Sequence, residues 1–357
     1  MPLTQIKGSN IGAVLTNTQL NTTGTASSAN VLPGTFAWSS ASRSGLTNYA
    51  ASDPATPVAG DIWFQGGYVK IAADPTLLTG MWSSSNAMNH WRDYPGGSGI
   101  QGSALTSSSE TLANDDRQKA EAYSGTSWAI VNDTISATYY VCQFGTLNAT
   151  LSCFGRLAGP RTATSQEYDG TSWAAGGSGA TARGVAGGCG SVSAGLSFGG
   201  GQDSGTWNTN ETYDGTSWAA ANPILTARSA LKGAGKQSAA VNFGGYPDGG
   251  SASTTSETYD GTSWAAAANM NGGRNYPMAG GTQSAAICCA GYESANLDTT
   301  EEFDGVTWTN AADALSPRNS PGGAGNQSAG LIFGGYNGGA LSSTEEWNKP
   351  RIQYYDV

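Results

Sequence analysis

Six tryptophans set the frame of this chain: Trp82, Trp128, Trp173, Trp218, Trp264 and Trp308 follow one another at 46, 45, 45, 46 and 44 residues. Such a period suits one four-stranded blade of a β-propeller, and a fixed self-similarity constrains the fold more than any local motif. An aromatic residue stands five positions before each of the last five: Tyr123, Tyr168, Tyr213, Tyr259 and Phe303. Asp-Gly follows four of these and Ser124-Gly125 the fifth, so each Tyr-Asp-Gly-Thr-Ser-Trp reads as strand, turn, strand, with a type I′ or related turn. Upstream of the last four lies an apolar run ending in aromatic-Gly-Gly or a relative of it, at 151–155, 196–200, 241–246 and 287–292, and a fifth such run, 331–336, precedes Glu345. A further small-residue strand precedes each run, which makes four strands per unit.

The composition agrees with short strands and tight turns. Gly is 52 of 357 residues, charged residues are 12%, and 38% hydrophobic content with 11 Trp is enough to fill a core. A net charge of −10 without a basic cluster makes nucleic acid a poor partner, and no 18-residue apolar run exists for membrane insertion. The N-terminus shows no secretory signal pattern, so synthesis in a cytoplasm without a signal peptide is expected. The five cysteines (142, 153, 189, 288 and 289) form no CxxC pair and read as buried free thiols. With His90 as the single histidine, a multi-histidine metal site is excluded; neither a metal nor any other cofactor is expected.

The segment from Trp82 aligns without gaps on the one from Trp308, at an offset of 226 residues: Arg92 matches Arg318, Pro95 matches Pro321 and Gln101 matches Gln327. The first blade therefore begins near Arg92. The last unit, from Arg318 through Glu345 and Trp347, ends without a Trp strand, while the chain before Arg92 holds one to spare. Residues 79–88 are expected to complete the sixth blade and leave no unpaired edge. The expected fold is all-β: a six-bladed propeller over 77–349 closed by a strand from its N-terminal side, with an extended arm at 1–76 and a tail at 350–357.

Arg92, Arg183, Arg228, Arg274 and Arg318 occur in units that also carry Glu121, Glu211, Glu257, Glu301 and Glu345. In the second unit the two slots hold Thr138 and Gln166, so both charges vanish together. That is the behaviour of structural ion pairs, since either partner buried alone is costly.

The order Arg, small-residue strand, apolar strand, Gly-Gly, variable loop, Glu-x-Tyr-Asp, Trp resembles the kelch motif over residues 77–349. The resemblance implies a propeller that presents its variable loops at one face. Ligand-binding candidates on those loops are Asp203, Trp207, Tyr246, Asp248, Tyr292, Glu293 and Tyr336, where rings beside Asn, Asp and Ser suit sugars. The galactose oxidase type of copper site, suggested by kelch resemblance, lacks its histidines here. The Asp box of sialidases differs from this Asp-Gly pair. The chain is read as a non-enzyme, the alternative being a carboxylate-pair glycosidase using Asp203, Asp248, Glu293 or Asp298.

In the arm, 56–71 reads as a hairpin. Its Pro57-Val58-Ala59-Gly60-Asp61-Ile62-Trp63 phrase, with LTQIKGSNI near the start, is similar to attachment arms of tailed-phage virion proteins. The repeats also resemble those of marine and cyanobacterial phage structural proteins. This implies a virion location, a tail fibre or a capsid or neck appendage, with the arm joining other virion proteins and favouring a trimer. The ring would then recognise a host-surface glycan or protein. A cytoplasmic kelch-like adaptor is the alternative.

Overall fold

The computed structural model describes residues 80–349, apart from 111–116, 158, 203–204 and 249, together with three short strands outside that span. The chain divides into two units, one of them Gly80–Lys349. That unit is a six-bladed β-propeller of six four-stranded antiparallel sheets. In the first blade, Gly96–Ile100 lies innermost, followed outward by Ser103–Ser107, Ala120–Tyr123 and Trp128–Val131. Each later blade repeats this order.

The sixth blade is composite, as expected. Gly322–Asn326, Ala329–Phe333 and Thr344–Asn348 are completed by Met81–Ser85, with Trp347 paired to Trp82 and Thr344 to Ser85. Each hydrophobic cluster spans neighbouring blades, because a single twisted sheet cannot cover its own apolar faces. Phe198 and Leu196 of the third blade pack with Leu231, Tyr259 and Trp264 of the fourth. Ala104, Tyr123 and Trp128 of the first pack with Leu331 and Phe333 of the sixth, so the seam between chain ends is sealed like any other blade border.

A recurring contact sets the angle between blades: the outer-strand tryptophan rests on the phenylalanine of the blade before it. Ring centroids lie 5.0 Å apart for Trp128–Phe333, 5.1 Å for Trp264–Phe198 and 4.9 Å for Trp308–Phe243. In the second blade Cys153 occupies the phenylalanine slot, and the next residue, Phe154, supplies the ring against Trp218 at 5.0 Å. Phe154 does so from a left-handed conformation, φ 59°, where the third, fourth and sixth blades hold the first Gly of Gly-Gly and the fifth holds Ala290.

The innermost strands approach one another so closely that side chains are excluded from some positions. A Cβ on Gly97 would stand 2.5 Å from the Gly323 carbonyl oxygen of the sixth blade, a contact only backbone movement could relieve. Much of the glycine content is thereby explained. Gly97→Val is expected to destabilise the ring by about 1–3 kcal/mol through overpacking. Urea unfolding measures this, and an unchanged midpoint would contradict the close approach.

The second unit holds a three-stranded sheet ordered Ile62–Gln65, Tyr68–Ile71, Tyr355–Asp356, all antiparallel. The hairpin expected within 56–71 is thus present, and a strand from the C-terminal tail joins it. Residues 1–61 of the arm lie outside the described residues.

Candidate functional site

Antiparallel strands place the turns between first and second and between third and fourth strands on one face. The loops between second and third strands, with the links from blade to blade, occupy the other. The two faces differ in how their polar groups are used.

The turn face is stitched shut by local bonds. Gln101 donates from Nε2 to the carbonyls of Gly330 (3.2 Å) and Trp347 (2.9 Å) in the preceding blade, and Gln237 and Gln283 repeat this. The Asp-Gly turns are not two-residue type I′ turns. Tyr168 pairs with Trp173 across the four residues Asp169–Ser172, and within them Gly170 has positive φ while Asp169 does not. Asp169 Oδ1 instead accepts from the backbone N–H groups of Thr171 (2.8 Å) and Ser172 (2.7 Å), and Asp214, Asp260 and Asp304 do the same. Bonds from the backbone N–H groups, that of the serine or threonine three residues on first, hold all four carboxyls below their ordinary value of 3.8. A depressed folded-state pKa adds stability above the unfolded value that is lost as pH falls through the folded one. Carbon-detected NMR should therefore show these four titrating below 3.8, and ordinary titration would contradict the turn geometry.

On the loop face, Arg92, Arg228, Arg274 and Arg318 each bolt down the base of a variable loop. Arg228 Nη2 lies 2.8 Å from Glu257 Oε1, and its Nη1 donates to the carbonyls of Gly244 (2.5 Å) and Thr255 (2.8 Å), where the loop leaves and rejoins the sheet. Arg92–Glu121 (3.1 Å), Arg274–Glu301 (2.5 Å) and Arg318–Glu345 are equivalent, Arg183–Glu211 forms the ion pair with its second nitrogen on Ser197 Oγ (3.2 Å) instead, and every member is buried. The carboxylates also hold the blade links: Glu257 accepts from the N–H groups of Leu225 (2.8 Å) and Thr226 (3.3 Å). In the second blade Gln166 Oε1 performs the same task for Ile135 (2.6 Å) and Ser136 (3.1 Å), beside buried Thr138. At Glu121, burial opposes ionisation, but Arg92, the Asn89 amides and His90 outweigh it and keep the carboxyl below its usual range. His90 is a partner of this scaffold carboxylate, Nδ1 to Oε1 being 3.0 Å.

The axis is closed at this face. Two residues beyond each arginine slot stands a left-handed residue: Tyr94, Tyr140, Val185, Ala230, Tyr276 and Ser320, with φ between 49° and 58°. Their backbones bond from blade to blade: Tyr94 to Ser320, Val185 to Tyr140, Ala230 to Val185, Tyr276 to Ala230 and Ser320 to Tyr276. The ring of Tyr94 packs edge-on to Tyr140 (4.5 Å) and Tyr276 (5.0 Å), leaving a cavity of about 20 Å³, room for about one water. Tyr140 donates to Glu110 Oε2 at 2.6 Å. Among the described residues, the space left at the axis on this face is therefore narrow.

Of the loop candidates, Tyr246, Tyr292 and Tyr336 share one slot in three successive blades and are 42%, 40% and 38% exposed. Each is anchored by backbone pairing to the residue after an arginine: Ser229, Asn275 and Asn319. Trp207 is half-buried, its N–H donating to Gly200 (2.8 Å) and its carbonyl accepting from Arg228. Asp248 is exposed and accepts from the Thr206 N–H at 2.8 Å, tying the fourth blade's loop to the third's. Glu293 is exposed at a loop tip, and Asp203 lies outside the described residues. Cys153 and Cys289 are buried fillers, and burial pushes the Cys289 thiol up to about 12.

Fold and site together define a propeller with a sealed axis, a self-satisfied turn face and an aromatic loop face. Comparison with protein-family models finds no match for this chain, and a search among curated proteins finds none.

Proposed function

We propose that the chain is a display module of a tailed-phage virion, a tail fibre or a capsid or neck appendage, whose loop face recognises the host surface without catalysis. The observation that carries recognition is the row of exposed tyrosines in one slot of three successive blades, on backbones pinned by buried ion pairs. Exposed rings that are held rigid bind at a small ordering cost. The repeat order Arg, Gly-Gly, Glu-x-Tyr-Asp, Trp supports a kelch-type propeller as the scaffold. The arm phrase around Asp61-Ile62-Trp63 supports attachment to other virion proteins, with trimerisation through the arm. The net charge of −10 speaks against phosphate backbones as the target.

Antibody raised against the ring, applied to purified particles from the lysate of a phage encoding this chain, tests the reading. Labelling of an appendage, with soluble full-length protein blocking adsorption, is expected. Particles that carry no label, and adsorption indifferent to the protein, would overturn it.

A further inference from the structure

Among the described residues, the loops at the border between the fifth and sixth blades are the ones bridged to each other by side-chain amides. Tyr292 stands opposite Asn296 across the extended hairpin of the fifth blade, and Asn337 follows Tyr336 in the sixth. Asn296 Nδ2 donates to Asn337 Oδ1 at 3.1 Å, and Asn319 Nδ2 donates to Asn296 Oδ1 at 2.6 Å. Ser320 Oγ in turn donates to Asn319 Oδ1 at 2.8 Å, so the network runs from the sealed axis out to the loop tips. It fixes the Tyr292 loop to the Tyr336 loop, which sequence separates by 44 positions. Asn337 is exposed, and its side-chain oxygen is engaged while its side-chain N–H groups have no partner among the described residues.

From this arrangement we infer a binding site for a neutral carbohydrate at the border of the fifth and sixth blades, with Tyr292 and Tyr336 as stacking surfaces and Asn337 as a hydroxyl-recognising amide. The inference rests on the host-recognition reading above and names its ligand class. A pyranose offers an apolar C–H face to an aromatic ring and hydroxyls to amides, which is the pairing of groups found here. Anionic sugars fit poorly: neither 292–298 nor 336–343 contains Lys or Arg, and the first carries Glu293 and Asp298. A protein partner would need a contiguous apolar centre. Here Ser294, Ala295, Gly338 and Gly339 occupy the tips beside the rings.

Tyr246 provides an internal comparison. It holds the same slot at 42% exposure, but its neighbour Asp248 reaches back to Thr206, and among the described residues no amide network joins its loop to the next blade.

Affinity electrophoresis of the full-length protein through gels containing dextran, mannan, galactan or polygalacturonate tests the site. Retardation by at least one of the three neutral polysaccharides is expected, weakened about tenfold by Tyr292→Ala or Tyr336→Ala and about threefold by Asn337→Ala. Val306→Ala, 72% exposed in a turn of the opposite face, should change it less than about twofold, within the scatter of a contact worth only a few tenths of a kcal/mol. Should an alanine variant melt early, Tyr292→Thr and Tyr336→Thr keep strand propensity and carry the same comparison. Preference for polygalacturonate, no retardation by any neutral polymer, or retardation that ignores both tyrosines would overturn the inference. If the tyrosine variants still block phage adsorption like the parent protein, the carbohydrate site fails while host recognition stands; if the parent protein also fails to block, both fall.

Discussion

Deletion of residues 77–90 is expected to abolish the cooperative thermal transition of the ring. Met81–Ser85 is the outermost strand of the sixth blade, in register with Thr344–Asn348 over five residue pairs. Trp82 is buried to 6% exposure, packs 5.6 Å from Trp347, and donates from Nε1 to Thr300 Oγ1 of the fifth blade at 2.9 Å. Loss of one such buried tryptophan costs about 3–5 kcal/mol. A whole domain is stable by only about 5–15 kcal/mol. The deletion also bares Thr344–Asn348 as an open edge with the fully buried Trp347 beside it, and removes Asn89 and His90 from Glu121. Calorimetry should show no cooperative transition, and Trp82→Ala alone should lower the melting temperature. A deletion variant melting like its parent would mean that the ring is not closed by this strand.

The second large effect concerns the buried ion pairs, where one blade supplies its own control. Arg228→Thr or Glu257→Gln alone should each cost about 3–5 kcal/mol, because each leaves a buried charge without its partner. The double variant reproduces the Thr138/Gln166 arrangement of the second blade, in which a glutamine oxygen still accepts from two backbone N–H groups of the link. It should therefore lose less than the sum of the single changes, with a coupling of about 1 kcal/mol or more. Urea midpoints of the four proteins form the cycle, and strictly additive losses would remove the ion-pair explanation for the joint absence of both charges.

Both effects arise from features visible in the chain itself. Tryptophan spacing and the 226-residue offset between Trp82 and Trp308 disclose the blade count and the composite blade, since an outer-strand tryptophan must meet the preceding blade in every unit. The paired slots at Arg and Glu are equally legible, because charge loss in one unit occurs at both positions. Other features leave no such trace. Tyr94, Tyr140, Val185, Ala230, Tyr276 and Ser320 share one left-handed conformation but belong to four residue types, so composition conceals the belt that seals the axis. Phe154 replaces a ring that Cys153 cannot supply by moving one position along the chain, a change readable only after Trp218 is placed beside it. The Asp-Gly turns have the dipeptide of a tight hairpin, yet the side chain of Asp169 caps two N–H groups and widens the loop to four residues. The amide bridge from Asn296 to Asn337 is hidden for a different reason: its members belong to different blades, and only the ring brings them together.

The scaffold thus accounts for why loops can vary here without loss of the ring. In four of the six blades the loop leaves and rejoins its sheet at carbonyls held by a buried guanidinium, as Gly244 and Thr255 are by Arg228 and Ala290 and Thr299 are by Arg274. What lies beyond those anchors is released from the demands of the core.

Recognition by the loop face is the central claim, and hydrogen–deuterium exchange of the full-length protein, free and adsorbed to host envelope, tests it most directly. Protection is expected in 246–255, 292–298 and 336–343, with the turns at 169–172, 214–217, 260–263 and 304–307 unchanged. Protection of those turns, with the loops exchanging as in the free protein, would contradict the account.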